Sequence, residues 1–312
     1  MVWSDEFDGT SLDTTKWRYE VNCDGGGNNE LQCYTNSLGN VNVANGTLTI
    51  SAVPQKYEGK QYTSGRINTK ATAAWKYGRF DVRAKLPDGI YLWPAVWMMP
   101  RDNTYGEWAS SGEIDIMEFR GGNNTKVEST LHFGGAWPKN VYQGSGPRDM
   151  SVDLTKDFHV YSLIWTPTKM DFLMDNQVFH SQTLQRTFNN AKAGVSPYKE
   201  DGQPFDQYFY LIINLAIGGN FFGPSESQAL TAQQAKAWAS PRYVLDYVRV
   251  YQLSMDASSS AASVAPATTA APAPASIDRC DYGSCPSSLC SCDGICYIPR
   301  THSCENGSVV KK

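Results

Sequence analysis

From residue 1 to about residue 254 the chain is written in short alternating runs of apolar and polar residues, separated by Gly, Asn, Asp and Pro. Val41–Ala52, Gly78–Leu86, Phe158–Trp165, Lys169–Phe179 and Tyr243–Leu253 are examples. Alternation of this kind makes strands with one buried face, and many short strands with turn signals between them close into a sandwich or jelly roll. Helical periodicity is scarce, and only Ser227–Ala239 reads as a helix. Met170–Val178 reads as a hairpin turning at Asp175-Asn176. The predicted fold is all-β, a jelly-roll sandwich of two curved antiparallel sheets.

Two further segments follow. Residues 255–279 are rich in Ala, Ser, Thr and Pro. They carry too few large apolar groups to bury a core and read as a linker. Residues 280–312 hold six of the eight cysteines, spaced C-x4-C-x4-C-x-C-x3-C-x7-C. The C-x2-C pairs usual at zinc sites are missing, so a disulfide-stapled module is expected, with fifteen pairings open. A module in this position is a carbohydrate-binding accessory, a small inert cap or a partner-binding knot, and Tyr282 and Tyr297 are its only aromatics.

Composition excludes several classes. The net charge is −4 and no Lys/Arg cluster appears, so nucleic acid and anionic membrane are not expected partners. The longest apolar runs, Ile90–Met99 and Leu211–Ile217, are too short to span a bilayer. The chain does not open on a basic segment followed by an apolar core. The cysteine density nonetheless calls for an oxidising compartment, so secretion with a removed signal peptide is the expectation. Three Asn-x-Ser/Thr sequons, at Asn45, Asn123 and Asn306, agree with that. No apolar stripe demands a partner subunit, and a monomer is expected.

The stretch with chemical content is Ser111–Phe119, in which Glu113, Asp115 and Glu118 alternate with large apolar side chains. Glu113 and Asp115 share a strand face, but Glu118 stands at an odd offset. A β-bulge near Met117 would return Glu118 to the acidic face. Three carboxylates on one strip repel one another, so at least one pKa rises and a proton is shared. Glu113 and Glu118 would then lie roughly 13 Å apart at Cα. Inward-leaning side chains would bring their carboxyl groups to about 5–6 Å, the separation of a retaining rather than an inverting glycosidase. An acidic surface strand is the plain alternative, but stacked like charges destabilise one.

These residues resemble the signature of glycoside hydrolase family 16 in its bulged, laminarinase-like form. The resemblance continues through Trp3–Phe7, Asn28–Gln32, Tyr62–Ile67, Leu92–Met98, Thr130–Gly134, Phe158–Tyr161, Asn214–Gly219 and Asp246–Tyr251, in the family's order. It covers roughly residues 1–254. It implies a retaining endo-1,3-β-glucanase acting on laminarin-type glucan, with mixed-linkage 1,3-1,4-β-glucan as a further substrate. A transglycosylase of the same family and a non-catalytic glucan-binding protein are the alternatives.

By the same resemblance Glu113 is the nucleophile, Glu118 the general acid/base and Asp115 the assisting carboxylate. Arg66 is placed among the donor-side sugar subsites, with an ion pair to the acidic strand as its other reading. Asn29 and Glu30 fall in a loop that binds sugar at the far donor end. Trp108 is the stacking residue beside the cleavage point. Trp93 and Trp97 are candidates of which at least one belongs to the core. His132 has a cleft position or a structural one. Asn214 is either a cleft donor or a buried, satisfied amide. Cys23 and Cys33 bracket the Asn29 loop and could close it as a disulfide, or stay as thiols. No catalytic cofactor is expected. A structural calcium at Glu6, Gly46 and Asp246, the first two binding through backbone carbonyls, is implied by the resemblance alone.

Overall fold

The computed structural model describes residues 1–185, 197–223 and 230–253, together with four short strand segments near the C-terminus. The chain divides into two compact units, Met1–Asp256 and Ala257–Lys312. In the second unit the described backbone forms two antiparallel ribbons, Cys290–Cys292 with Ile295–Tyr297 and His302–Glu305 with Ser308–Lys311. The linker, the pairing of the tail cysteines and the sugar-binding reading of that module lie outside the described residues.

The first unit is the expected two-sheet antiparallel jelly roll. One eight-stranded sheet runs Gln177–Thr183, Lys169–Met174, His159–Trp165, Gly78–Lys85, Arg242–Tyr251, Thr47–Ser51 and Val41–Ala44, with Trp3–Asp5 also paired to Arg242–Tyr251. The other, here called the cleft sheet, runs Asn140–Gly144, Lys126–Gly134, Glu113–Glu118, Leu92–Pro100, Phe209–Ile217, Arg66–Asn68 and Arg18–Tyr19. Arg148–Asp149 joins it through Lys126–Gly134. Val96, Met98, Ile114, Leu131 and Leu211 from the cleft sheet meet Phe80, Val82, Leu163, Phe172 and Leu245 from its partner in one buried core. Burying such side chains is the main favourable contribution to folding, about 1.5–3 kcal/mol each.

The hairpin at Asp175-Asn176 forms as expected. Both residues have positive φ (48° and 64°), the requirement of a two-residue I′ turn. The expected helix is shorter. It spans Ala232–Lys236, starts at a Thr231/Gln234 capping box and stops before Ser240-Pro241, where helical backbone is disfavoured. Residues 227–229 of the expectation lie outside the described residues.

Candidate active site

The Glu113–Glu118 strand carries the bulge that its sequence demands. Against Leu92–Pro100, Asp115 pairs with Trp97 while Met117 pairs with Val96. Against Lys126–Gly134, Asp115 pairs with Thr130 and Glu118 with Glu128. One extra residue is therefore accommodated at Ile116. Ile116 and Met117 are both buried in the core, and Glu118 returns to the face of Glu113 and Asp115. Ala95 stands opposite Glu118, and its small side chain leaves room for the carboxyl group.

The face opens into a cleft of about 870 Å³. Its walls come from period-two alternation on the neighbouring strands: Trp93, Trp97 and Met99 on one side, Glu128, Thr130 and His132 on the other. Trp108 donates its indole N–H to Glu113 Oε2. Trp93 donates to Glu118 Oε1 at 3.1 Å, and the Thr130 hydroxyl donates to Glu118 Oε2 at 3.4 Å. His132 Nε2 lies 3.3 Å from Asp115 Oδ2. That contact is an ion pair rather than an aligned hydrogen bond, since Asp115 Oδ2 has no aligned donor.

Burial first, and the Asp115 charge second, push Glu113 up to about 8. The His132 charge and the Trp108 N–H oppose the rise. Burial and then Asp115 also hold Glu118 well above the ordinary carboxylate range, with Glu128 and Glu113 adding to it. His132 loses some basicity to burial but gains more from Asp115, Glu113 and Glu118, and reaches about 9. His132 is thus an imidazolium beside two glutamates, Glu113 and Glu118, whose proton affinities depend on their charged neighbours.

Glu113, Asp115 and His132 offer ligand atoms within 4.8 Å of one another, close enough for a metal ion. The indole N–H aimed at Glu113 and the imidazolium beside Asp115 already occupy that role with positive partners. The cluster reads as proton-sharing acid/base machinery. Two carboxyl groups on one cleft face can attack an acetal carbon and protonate its leaving oxygen when the first is ionised and the second protonated.

The other expected residues divide. Arg66 lines the cleft, with its guanidinium 4.7 Å from the Trp97 ring centroid and its Nε 2.8 Å from Glu20 Oε2. Its ion-pair partner is Glu20 rather than the acidic strand. Trp93 and Trp97 are both half-buried and both line the cleft, so neither is the core residue expected of one of them. Asn214 is the buried, satisfied amide. It accepts from Trp97 Nε1 at 2.7 Å and donates to Tyr34 Oη at 3.0 Å. Every residue of Phe209–Ile217 is buried, which removes Asn214 from the cleft surface.

Asn29 is also displaced from its expected place. Its side chain is exposed and donates to Asn220 Oδ1, while Gly26, Gly27 and Asn28 line the cleft instead. Glu30 is buried beneath that loop, accepting from Gln32 and Tyr34. Gly26 has φ 60°, and a Cβ there would meet Glu30 Oε1 at 2.3 Å, so only glycine lets the loop lie on this carboxyl. A Cys23–Cys33 disulfide closes the loop.

Sequence reasoning missed Arg120, Glu128, Phe221 and Tyr142. Glu128 was legible, two and four residues from Thr130 and His132 on one strand. Phe221 had no local signal. Its ring stacks on Trp93 (4.3 Å, 9°), under the Arg120 guanidinium at 3.9 Å.

A model of glycosyl hydrolases family 16 matches residues 28–208. The chain is 44% identical over 253 residues to a glucan endo-1,3-beta-glucosidase of Cryptopygus antarcticus, covering 79% of this chain and 90% of the relative. The laminarinase of Rhodothermus marinus superimposes with a TM-score of 0.70 at 39% identity, covering 80% of this chain and 96% of that one. A non-specific endo-beta-1,3(4)-glucanase co-crystallised with 1,3-beta-D-cellobiosyl-cellobiose superimposes with a TM-score of 0.66 at 36% identity, covering 81% of this chain and 94% of that one. On sequence, fold and the position of the bulged carboxylate strand, this chain belongs to glycosyl hydrolase family 16.

Proposed function

We propose that this protein hydrolyses internal bonds of 1,3-β-glucan with retention of configuration, and that mixed-linkage 1,3-1,4-β-glucan is a further substrate. The observation that carries the reading is the bulge, which sets Glu113, Asp115 and Glu118 on one cleft face. Glu113, held by the Trp108 N–H, attacks the anomeric carbon and forms a glycosyl ester. Glu118 gives its proton to the departing sugar oxygen, then takes one from the incoming water. Burial raises the proton affinity of both, and the charges of Asp115 and His132 adjust it in opposite directions. Arg66, Trp97, Trp93 and the Gly26–Asn28 loop bind the sugar chain, and Asn214 positions Trp97. Parallel assays of reducing-end release from laminarin, lichenan, agarose and carrageenan test the reading. Release from laminarin is expected, and release from agarose or carrageenan alone would replace the substrate.

The pH profile tests the roles of Asp115 and His132. The His132 cation lowers the pKa of both glutamates, and the Asp115 anion raises both. His132→Gln should therefore move both limbs of the kcat/KM profile to higher pH. Asp115→Asn should move both to lower pH. Shifts in the same direction for the two variants would contradict these roles.

A structural calcium is proposed at Glu6, Gly46 and Asp246. Asp246 is the extra residue of a bulge between Leu245 and Tyr247. Thr47–Ser51 and Trp3–Asp5 pair with the same strand near it, at Leu48↔Leu245 and Asp5↔Val248, and Gly46 and Glu6 are the residues next to those strand ends. The Asp246 carboxylate pairs with Arg83 at 2.6 Å, so a cation would exchange with that guanidinium. Saturating calcium should raise Tm by roughly 5 °C, and Asp246→Asn should abolish the rise. An unchanged wild-type Tm would sink the site.

Secretion and a monomeric state complete the proposal. The Cys23–Cys33 disulfide supports an oxidising compartment.

A further inference from the structure

Trp93 joins the cleft wall to the acid chemistry, because its indole N–H reaches Glu118 Oε1 at 3.1 Å. A carboxyl group whose Oε1 accepts from an N–H carries its proton on the other oxygen, Oε2. The direction of that N–H follows from the plane of the indole, since rotation about the Cβ–Cγ bond swings Nε1 away from Glu118. This torsion is broad in aromatic side chains and has no sharp wells of its own, so the plane has to be set by packing.

Phe221 sets that plane. Its ring lies parallel to the Trp93 indole, with 4.3 Å between centroids and 9° between planes. Turning the indole would drive its edge into the phenyl ring. Arg120 holds Phe221 in two ways. Its guanidinium packs over the ring, 3.9 Å from the centroid, and its Nη1 donates to the Phe221 carbonyl. Glu128 fixes the guanidinium in turn, accepting from its Nε at 2.8 Å. The backbone around Arg120 is itself registered on Trp93. The Phe119 N–H donates to the Pro94 carbonyl at 3.3 Å, and the Gly121 N–H to the Leu92 carbonyl at 2.8 Å. The turn that carries Phe221 is anchored from its other side, where the Asn220 N–H donates to the Asn28 carbonyl at 2.7 Å. The circuit therefore closes on itself: Arg120 follows Glu118 by two residues and immobilises the Trp93 that Glu118 meets.

We propose that Phe221 and Arg120 are positioning residues that clamp the Trp93 indole and so hold the Glu118 proton on Oε2, the oxygen that protonates the leaving sugar. The proposal rests on the hydrolase reading, which makes Glu118 the acid. As Glu113 attacks the anomeric carbon, the bond from that carbon to the glycosidic oxygen breaks, and the Oε2 proton passes to the departing oxygen. Glu118 is left as a carboxylate, with Oε1 still accepting from Trp93, and can then take a proton from water. Phe221 and Arg120 take no part in either transfer and act only through Trp93.

The test compares a leaving group that needs the proton with one that does not. Phe221→Ala should lower kcat on laminarin about ten-fold, while the dinitrophenol burst from a dinitrophenyl glycoside stays within about two-fold of wild type. Phe221→Tyr restores a flat ring and should return kcat on laminarin to within about two-fold of wild type. Arg120→Lys keeps a cation beside Glu128 but lacks the planar fork, and should lower kcat about five-fold. Equal losses in turnover and burst, or an unchanged kcat in Phe221→Ala, would overturn the clamp. A raised KM at unchanged kcat would make Phe221 a sugar contact instead. Solvent exchange of the Trp93 indole proton, identified in the NMR spectrum by its loss in Trp93→Phe, tests the clamp without turnover. Exchange about ten-fold faster in Phe221→Ala is expected, and an equal rate would contradict the clamp. Absence of laminarin cleavage by wild type would overturn the hydrolase reading, and the exchange rates would still decide the clamp.

Discussion

Glu113→Ser is expected to reduce laminarin hydrolysis by on the order of 10⁴-fold or more while sugar binding persists. Serine keeps a small polar side chain but cannot form the ester intermediate, and the binding walls at Trp93, Trp97 and Arg66 are untouched. The loss should be the same for poor and good leaving groups, because the attacking group itself is missing. Initial rates on laminarin and a binding titration with a laminari-oligosaccharide check both halves. Turnover within about ten-fold of wild type would remove Glu113 from the nucleophile role, given the tenfold meaning of 1.4 kcal/mol in a barrier.

Glu118→Gln separates the second role from the first. Glutamine retains the shape and can still meet the Trp93 N–H with its carbonyl oxygen, but it has no proton to give. Glucan has a sugar hydroxyl as leaving group, which needs that proton, so a fall of about 10²–10⁴-fold is expected on laminarin. A dinitrophenyl glycoside needs little protonation, and formation of its glycosyl-enzyme should remain fast. A burst of dinitrophenol followed by slow turnover is the predicted signature. Equal loss of the burst and of laminarin hydrolysis would mean that Glu118 is not the acid.

The parts of this site legible in the sequence are those governed by strand periodicity. Glu113 and Asp115 share a face by simple alternation, and the offset of Glu118 calls for a bulge because a straight strand would bury a carboxylate in the core. That bulge is present, with Ile116 as the extra residue and Ile116 and Met117 inside. Trp93 and Trp97 are four residues apart on one strand, so alternation put them on the same face and left no reason to assign one to the core. Sandwich and hairpin were readable for the same reason, because period two and a two-residue turn are local properties.

What failed depended on groups distant in sequence. Asn214 lies on a strand that alternation cannot resolve, since all nine of its residues are buried. Its amide is consumed by Trp97 and Tyr34, 117 and 180 residues away. Asn29 and Asn28 are neighbours in a glycine-rich loop, and only the actual backbone turn decides which one faces the cleft. The stack of Phe221 on Trp93 likewise joins a loop to a strand across the fold. The raised pKa of Glu118 was expected from carboxylate crowding, but burial is its first cause and Glu128 a further one. The central carboxylates carried a strong local signal. The binding residues were fixed by tertiary contacts.

The measurement that bears most directly on the central claim is the anomeric configuration of the first product, followed by proton NMR at early time on laminarin. Double displacement through Glu113 predicts that the β-anomer of the new reducing end appears first and the α-anomer only later, by mutarotation. Initial release of the α-anomer would mean a single displacement by water, and would contradict the assignment of Glu113 as a nucleophile even if the protein cleaves the glucan.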